Sequence, residues 1–362
     1  MSAAPGELID KAALGAMEYI AEGGQGRIYR CTQLRLPDYD GALAYKEFKS
    51  QQFSASGLEA IIGVRSRLDE ATRHRLDALT TWPTRLVRDG GPVVGLLMPL
   101  IKDEFVHVGR SLTGSPMRKE REIQYLFLAA DRLERLGFPR VNLYQRFAIC
   151  LRLAQAFEIL GANNVVYGDF SAKNALYSVG PGRRDAAAIL VDCDAVRVKG
   201  TMSAVPQLNS PDWEPPGDER TRLTTQTDLY KYALFVLRCL SPGSQASTAR
   251  DPRRADDILD AHGQGMLRAA LGSNPAARPS ATAWVQYFTA RLAANGPGPG
   301  TAAGTSGVGA PAAPASGTSG AGAAPAGAGT ASPAPGAGAA AAGDSGGWQR
   351  SPTGEWVRVR RP

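Results

Sequence analysis

The chain has 362 residues, a net charge of +7 and a hydrophobic fraction of 43%, enough for a sizeable core. Its basic residues are scattered except at Arg358, Arg360 and Arg361, and no basic run is interleaved with aromatics, which argues against nucleic-acid binding as the primary role. No run of about 18 apolar residues occurs and the N-terminus lacks a basic stretch followed by an apolar one, so neither a membrane span nor a signal peptide is expected, and the expected location is cytoplasmic.

In chain order, Met17 to Cys31 reads as strand, glycine turn, strand, and Leu43 to Phe48 as a third strand. Ser56 to Leu68 reads as a helix, with Leu58, Ile61, Ile62 and Arg65 at helical spacing. Thr84 to Pro99 reads as a hairpin turning at Asp89-Gly90-Gly91. Beyond Pro99 the period becomes helical, over Arg118 to Leu136 and over Leu143 to Leu160. A short strand pair follows near Val165–Tyr167 and Ala188–Asp192. Leu229 to Leu240 is apolar nearly all round and predicts a buried central helix; Met266–Leu271 and Ala281–Leu292 close the body. The expectation is an α+β fold with a β-rich lobe at 17–101 and a helical lobe at 102–292, after an extension at 1–16. Residues 293–346 are almost wholly Ala, Gly, Pro, Ser and Thr and predict a disordered linker. The final segment, 347–362, carries Trp348, Trp356 and the arginine cluster, which suits a short docking segment that binds a partner or folds back on the body, and equally a remnant with no role. None of Cys31, Cys150, Cys193 and Cys239 stands at metal-ligand spacing, so buried reduced thiols are expected.

Three stretches carry chemistry. Ile20 to Tyr29 (IAEGGQGRIY) places Gly23 and Gly26 in a turn between strands, where a backbone without side chains can close over a polyphosphate. Taken alone it is better read as an ordinary hairpin turn. Lys46 follows in a short apolar strand, within reach of phosphates if the turn holds them. Val165 to Tyr177 (VVYGDFSAKNALY) contains Asp169 and, five residues on, Asn174; the strand Ala188 to Asp192 ends on a second aspartate. Phosphoryl transfer needs hard oxygen ligands for Mg²⁺, a cation on the phosphates and an acceptor for the nucleophile's proton. Asn174, Asp192, Lys46 and Asp169 are those chemical types, in that order of need.

Together these motifs resemble the protein kinase superfamily from Met17 to Leu292, and more narrowly a divergent bacterial serine/threonine kinase-like branch. Ala44-Tyr45-Lys46 is similar to the VAIK segment, Tyr167-Gly168-Asp169…Asn174 to the HRD…N loop, and Asp192-Cys193-Asp194 to DFG. Ser210-Pro211-Asp212-Trp213 is similar to TPEY, Thr227-Asp228-Leu229-Tyr230 to the start of the central helix, and Asn274 to Ser280 to the DPxxRPT stretch. The resemblance implies a bilobal fold and a protein kinase using ATP and Mg²⁺ on unidentified protein substrates. It implies Asp169 as proton acceptor, assisted by Lys173, and Asn174 and Asp192 as metal ligands. It places Ala21, Gly23, Gly26 and Ile28 in the phosphate loop, Lys46 on the α/β-phosphates, and Met98 and Leu100 in the hinge at adenine. Glu59 is the expected helix partner of Lys46, with Glu70 as the rival. Asp228 would brace the loop from below.

The chain departs from the family pattern at telling places. Tyr167 and Gly168 replace His and Arg of HRD, Asp194 replaces the glycine of DFG, and Gly217 stands where the glutamate of APE is expected, so Arg278 needs another acid, Glu214 or Glu219. These departures keep two other readings in play: a nucleotide-binding pseudokinase serving as a signalling or scaffold module, and a kinase of small molecules.

Overall fold

The computed structural model describes residues 7–50, 53–110, 115–182, 184–202, 204 and 209–294, and the backbone of strands at 347–350 and 356–359. Residues before 297 belong to one compact unit. Within it a β-rich part is followed by a helical part.

The β-rich part comprises β1 (Leu8–Asp10), β2 (Met17–Glu22), β3 (Gly26–Cys31), β4 (Leu43–Phe48), helices α1 (Ala55–Ser66) and α2 (Glu70–Leu79), and β5 (Arg85–Arg88) and β6 (Val93–Pro99). The six strands form one sheet in the order β1-β5-β6-β4-β3-β2. Neighbours are antiparallel except β1, which lies parallel to β5. Part of the expected N-terminal extension is therefore an edge strand, and Leu14 just beyond it is fully buried. Alternation along the strands separates two faces. Leu43, Tyr45, Val87 and Leu97 pack with Leu14 and Cys31 on one face, while Leu86 and Leu96 join the main core on the other. Helix α1 starts at Ser54, whose side chain accepts from Gly57 N, and buries Leu58, Ile61 and Ile62. Arg65 on the same helix is also buried, and it is paired to Asp77 at 2.7 Å and to Asp38 at 2.5 Å. Helix α2 had the signature of a helix start, Asp69 capping before Glu70, which the apolar period alone passes over.

The helical part holds β7 (Val106–Arg110), β8 (Pro116–Glu120), α3 (Ala130–Arg135), α4 (Leu143–Ala162), β9 (Val165–Val166), β10 (Ala175–Val179), β11 (Ala186–Leu190), β12 (Arg197–Val198), α5 (Thr225–Leu240), α6 (Ala261–Leu271) and α7 (Ala281–Ala294). Helix α5 is buried along almost its whole length, as its all-round apolarity predicts. It starts with a capping box between Thr224 and Thr227, and α4 with one between Asn142 and Gln145.

The helix expected over Arg118 to Leu136 is not formed. Residues 116–120 pair with β7 as a hairpin, residues 123–127 make 3-10 turns, and only Ala130–Arg135 is α-helical. The physical reason lies in the neighbours. Arg118 to Glu122 are five charged residues in a row, and the backbone at their end is bonded to β10 and to the loop before it: Tyr177 N donates to Arg121 O at 2.9 Å and Gln124 N to Ala172 O at 3.2 Å. Tyr125, Leu126 and Phe127 are then all buried in sequence, which one helix face does not permit.

Strands β13 (Gly347–Arg350) and β14 (Trp356–Val359) pair with each other. Of the linker expected at 293–346, the first two residues end helix α7; residues 295–346, and the side chains of the expected docking segment, lie outside the described residues. Among the described residues no helix is long and apolar enough to cross a membrane. All four cysteines are free and buried.

Candidate functional site

Strand register collects one half of the site. Ala21 lies opposite Ile28, Ile28 opposite Lys46, and Lys46 opposite Leu96; one step along, Ala44 faces Met98. Cross-strand partners and residues two apart share a face, so Ala21, Ile28, Lys46 and Met98 all project from the face that Leu96 turns toward the main core. The chain leaves β6 with Leu100 N bonded to Ala42 O at 2.8 Å, which fixes the start of the connection to the helical part.

The two glycines of the turn have different reasons to be glycine. A Cβ on Gly26 would come 2.4 Å from Glu47 O, a backbone atom of the paired strand, whereas one on Gly23 would meet nothing within 4 Å. Gly26 is required by strand packing, and Gly23 sits at an open tip closed by its own N–H donating to Gly26 O at 2.9 Å. We expect Gly26→Ala to destabilise the protein by about 1–3 kcal/mol and Gly23→Ala to change stability by less than about 0.5 kcal/mol in urea unfolding. Equal costs at the two positions would contradict this assignment.

The other half is the loop between β9 and β10. Val191 N donates to Asn174 O at 3.0 Å, continuing the β10–β11 ladder by one step, so Asn174 and Asp192 emerge side by side at the end of that hairpin. Asn174 Nδ2 donates to Asp169 O at 2.6 Å, which ties the loop across its base and leaves Oδ1 of Asn174 as an acceptor. Asp192 is exposed, and its left-handed backbone (φ 53°) turns the chain sharply. The Asp169 carboxylate is half-buried and accepts from the Ser210 hydroxyl at 2.9 Å. Ser210 was visible in the sequence as part of a motif, but not as a partner of Asp169.

Helix α5 fixes this loop from beneath. Asp228 accepts from Tyr167 N at 2.7 Å and Gly168 N at 2.9 Å, and Lys231 donates to Gly168 O. Phe170 is fully buried, edge-on to Phe157 at 5.1 Å and Trp213 at 5.6 Å. Burial raises the Asp228 carboxyl to about 6 against the pull of Gly168 N–H, Lys231 and Tyr167 N–H, and burial lowers Lys231. A raised carboxyl binds its proton more tightly in the folded chain. The stability tied to Asp228 is therefore fully present below its unfolded value of 3.8 and is lost as pH rises through about 6. Accordingly, the stability difference between the wild type and Asp228→Asn should shift toward the wild type as pH falls from neutral to about 5, measured by urea unfolding at both pH values. A pH-independent difference would show that Asp228 does not titrate in that range.

Lys46 is buried, and its ammonium is 2.7 Å from Asp194 Oδ2, with Gln25 Oε1 at 3.4 Å. Burial opposes the charge, yet Asp194 and then Asp192 outweigh it and the Lys46 pKa is raised. The expected partner Glu59 is instead half-exposed on α1 and makes no ion pair among the described residues, and Glu70 is exposed at the start of α2. The buried face of α1 is taken by Leu58, Ile61 and Ile62, which turns Glu59 aside. Lys173 is exposed, and its charge acts on Glu122. Glu219, not Glu214, pairs with Arg278, at 2.6 Å; Glu214 pairs with Arg250 at 3.3 Å.

A depression of about 460 Å³ lies against Leu100, lined by Arg75, Asp77, Thr81, Phe105, Arg152 and Ile189 among others, and takes in none of Lys46, Asp169, Asn174 and Asp192. A scan against protein-family models finds no match for the chain, and a search of curated proteins finds none either.

Proposed function

We propose that the chain is a bilobal protein kinase-like phosphotransferase that moves the γ-phosphoryl group of Mg²⁺·ATP to a protein hydroxyl, of serine or threonine. One observation carries the reading: Lys46 meets Asp194 two residues beyond Asp192, Asn174 bonds both to Asp169 O and to the strand that ends on Asp192, and Asp228 holds the loop before Asp169. Turn-forming roles for Asp and Asn explain each residue singly but do not explain a buried lysine drawn to the same place.

The donor set suits the ligands. Asn174 Oδ1 and Asp192 are hard oxygen donors, and Mg²⁺ is commonly held by one or two protein groups together with phosphate oxygens. Among the described residues no group of three or more His, Cys, Asp or Glu side chains is placed to hold a metal ion, so a metal held by protein groups alone is not supported. When bound, Mg²⁺·ATP supplies the phosphoryl group and the charge that neutralises it. Lys46 would donate to the non-transferred phosphates, and Asn174 and Asp192 would hold the metal. Asp169 orients the substrate hydroxyl and takes its proton, and Ser210 holds the Asp169 carboxylate in place until then. The rim formed by Ala21, Ile28 and Met98 offers an apolar surface for adenine.

The test is transfer of labelled γ-phosphate, with Mg²⁺, to the protein itself or to a generic protein substrate. Incorporation on serine or threonine is the expected result. Binding of Mg²⁺·ATP without any transfer would replace the enzyme by a nucleotide-binding pseudokinase.

A further inference from the structure

We propose that Asp194 is the positioning residue for Lys46, and that it takes the place of a helix carboxylate in this chain. The inference rests on the phosphotransferase reading of the site. Asp194 lies two residues beyond the proposed metal ligand, in a 3-10 turn that begins where Asp192 adopts its left-handed backbone. That turn carries the Asp194 carboxylate back to the sheet, where Oδ2 meets Lys46 Nζ at 2.7 Å with side-chain exposures of 3% and 6%. The other oxygen, Oδ1, is buried and has no hydrogen-bond partner among the described residues. A buried carboxylate with one oxygen unpaired is a poor stabiliser: its desolvation is repaid through a single contact. The pair is better explained by what it does to Lys46, which is to hold a buried ammonium charged and aimed.

Helix α1 is correspondingly excused from that task, and the same segment seats it. Ser54 N donates to Ala204 O at 2.8 Å, and a Cβ on Gly57 would come 2.6 Å from Ala204 N, so the helix lies directly on the chain that follows β12. Asp194 and Ala204, ten residues apart, thus supply the carboxylate for Lys46 and the floor for α1. Control of Lys46 passes to that segment, and a swing of α1 that brings a glutamate in or out has no role.

The experiment is a double-mutant cycle on the full chain, read by calorimetric titration with Mg²⁺·ADP and by turnover of labelled ATP. Asp194→Asn should lower turnover by about tenfold or more. The double variant Lys46→Met with Asp194→Asn should be no worse than Lys46→Met alone, because Asp194 acts through Lys46. Glu59→Ala and Glu70→Ala, at exposed or half-exposed positions that leave the fold intact, should each stay within about twofold of wild type in both measurements. Additive losses in the cycle overturn the proposal, as does a tenfold loss in either glutamate variant; the latter result decides the matter even if Asp194→Asn fails to fold. A wild-type chain that neither binds Mg²⁺·ADP nor transfers phosphate removes the phosphotransferase reading itself, an outcome distinct from a working enzyme with an additive cycle.

Discussion

Asp169→Ala should lower phosphoryl transfer by a factor on the order of 10²–10⁴ while nucleotide affinity stays within about twofold. The two effects separate because of where the Asp169 atoms lie. Its backbone oxygen accepts from Asn174 Nδ2, and truncating the side chain leaves that bond in place. The carboxylate faces Ser210 rather than Lys46, whose partner is Asp194. Asn174, Asp192 and Lys46, the proposed metal and phosphate contacts, therefore keep their positions when the carboxylate is removed. Asp169→Asn sharpens the test. An asparagine oxygen still accepts from Ser210 but does not take a proton, so Asn should be nearly as inactive as Ala if proton acceptance is the task. The measurement is single-turnover transfer from labelled ATP beside calorimetric Mg²⁺·ADP binding for all three proteins. Undiminished turnover in Asp169→Ala would remove the mechanism, and full activity in Asp169→Asn would reduce Asp169 to a hydrogen-bond acceptor.

Glu219→Ala should destabilise the folded chain by about 3–5 kcal/mol, and Glu214→Ala by less than about 1 kcal/mol. Arg278 explains the difference. Its side chain is 0% exposed and its guanidinium makes two bonds to Glu219, at 2.8 and 2.6 Å, so removing the carboxylate strands a buried charge. The remaining contacts, to Gln226 O at 2.8 Å, to Gly272 O at 3.5 Å and over the Tyr230 ring at 5.1 Å, carry no negative charge and do not neutralise it. Glu214 pairs with Arg250, where both side chains are about one-third exposed or more and solvent already screens them. Because Glu219 stands between Ser210 and α5, its loss should also loosen the stretch that carries the Asp169 partner. Urea unfolding of the two variants side by side decides the matter, and equal costs would refute the burial argument.

How much of this was legible beforehand depends on the range of the interactions involved. Strands β2, β3, β4 and β6 and helices α1, α4, α5 and α7 follow from local period and turn chemistry and occur close to where they are expected, whereas the strand pair expected near 165–167 and 188–192 is not formed: β9 pairs with β12 and β11 with β10. The loop from Asp169 to Asn174 was readable for the same reason, since Asn174 closes onto Asp169 only five residues away. Arg65 was placed on the buried face of α1 by its spacing, but its neutralising partners Asp38 and Asp77 come from other elements and left no pattern to read. Residues 118–122 read as helix because their period is compatible with one; backbone groups of Ala172 and Tyr177, some 50 residues on, hold the stretch around them extended instead.

The partner of Lys46 shows where that boundary falls. Residue types and spacing along the chain are enough to mark Lys46, Asp169, Asn174 and Asp192 as a set, because each sits in a short motif whose chemistry is local. They point to Glu59, or to Glu70, as the carboxylate that meets Lys46, and nothing in the sequence pattern singles out Asp194. Packing settles it: the apolar face of α1 must be buried, which turns Glu59 away, and the left-handed turn at Asp192 brings Asp194 across 148 positions of sequence to a distance of 2.7 Å. The choice between Glu214 and Glu219 for Arg278 is settled in the same way, by which acid the fold buries beside the guanidinium.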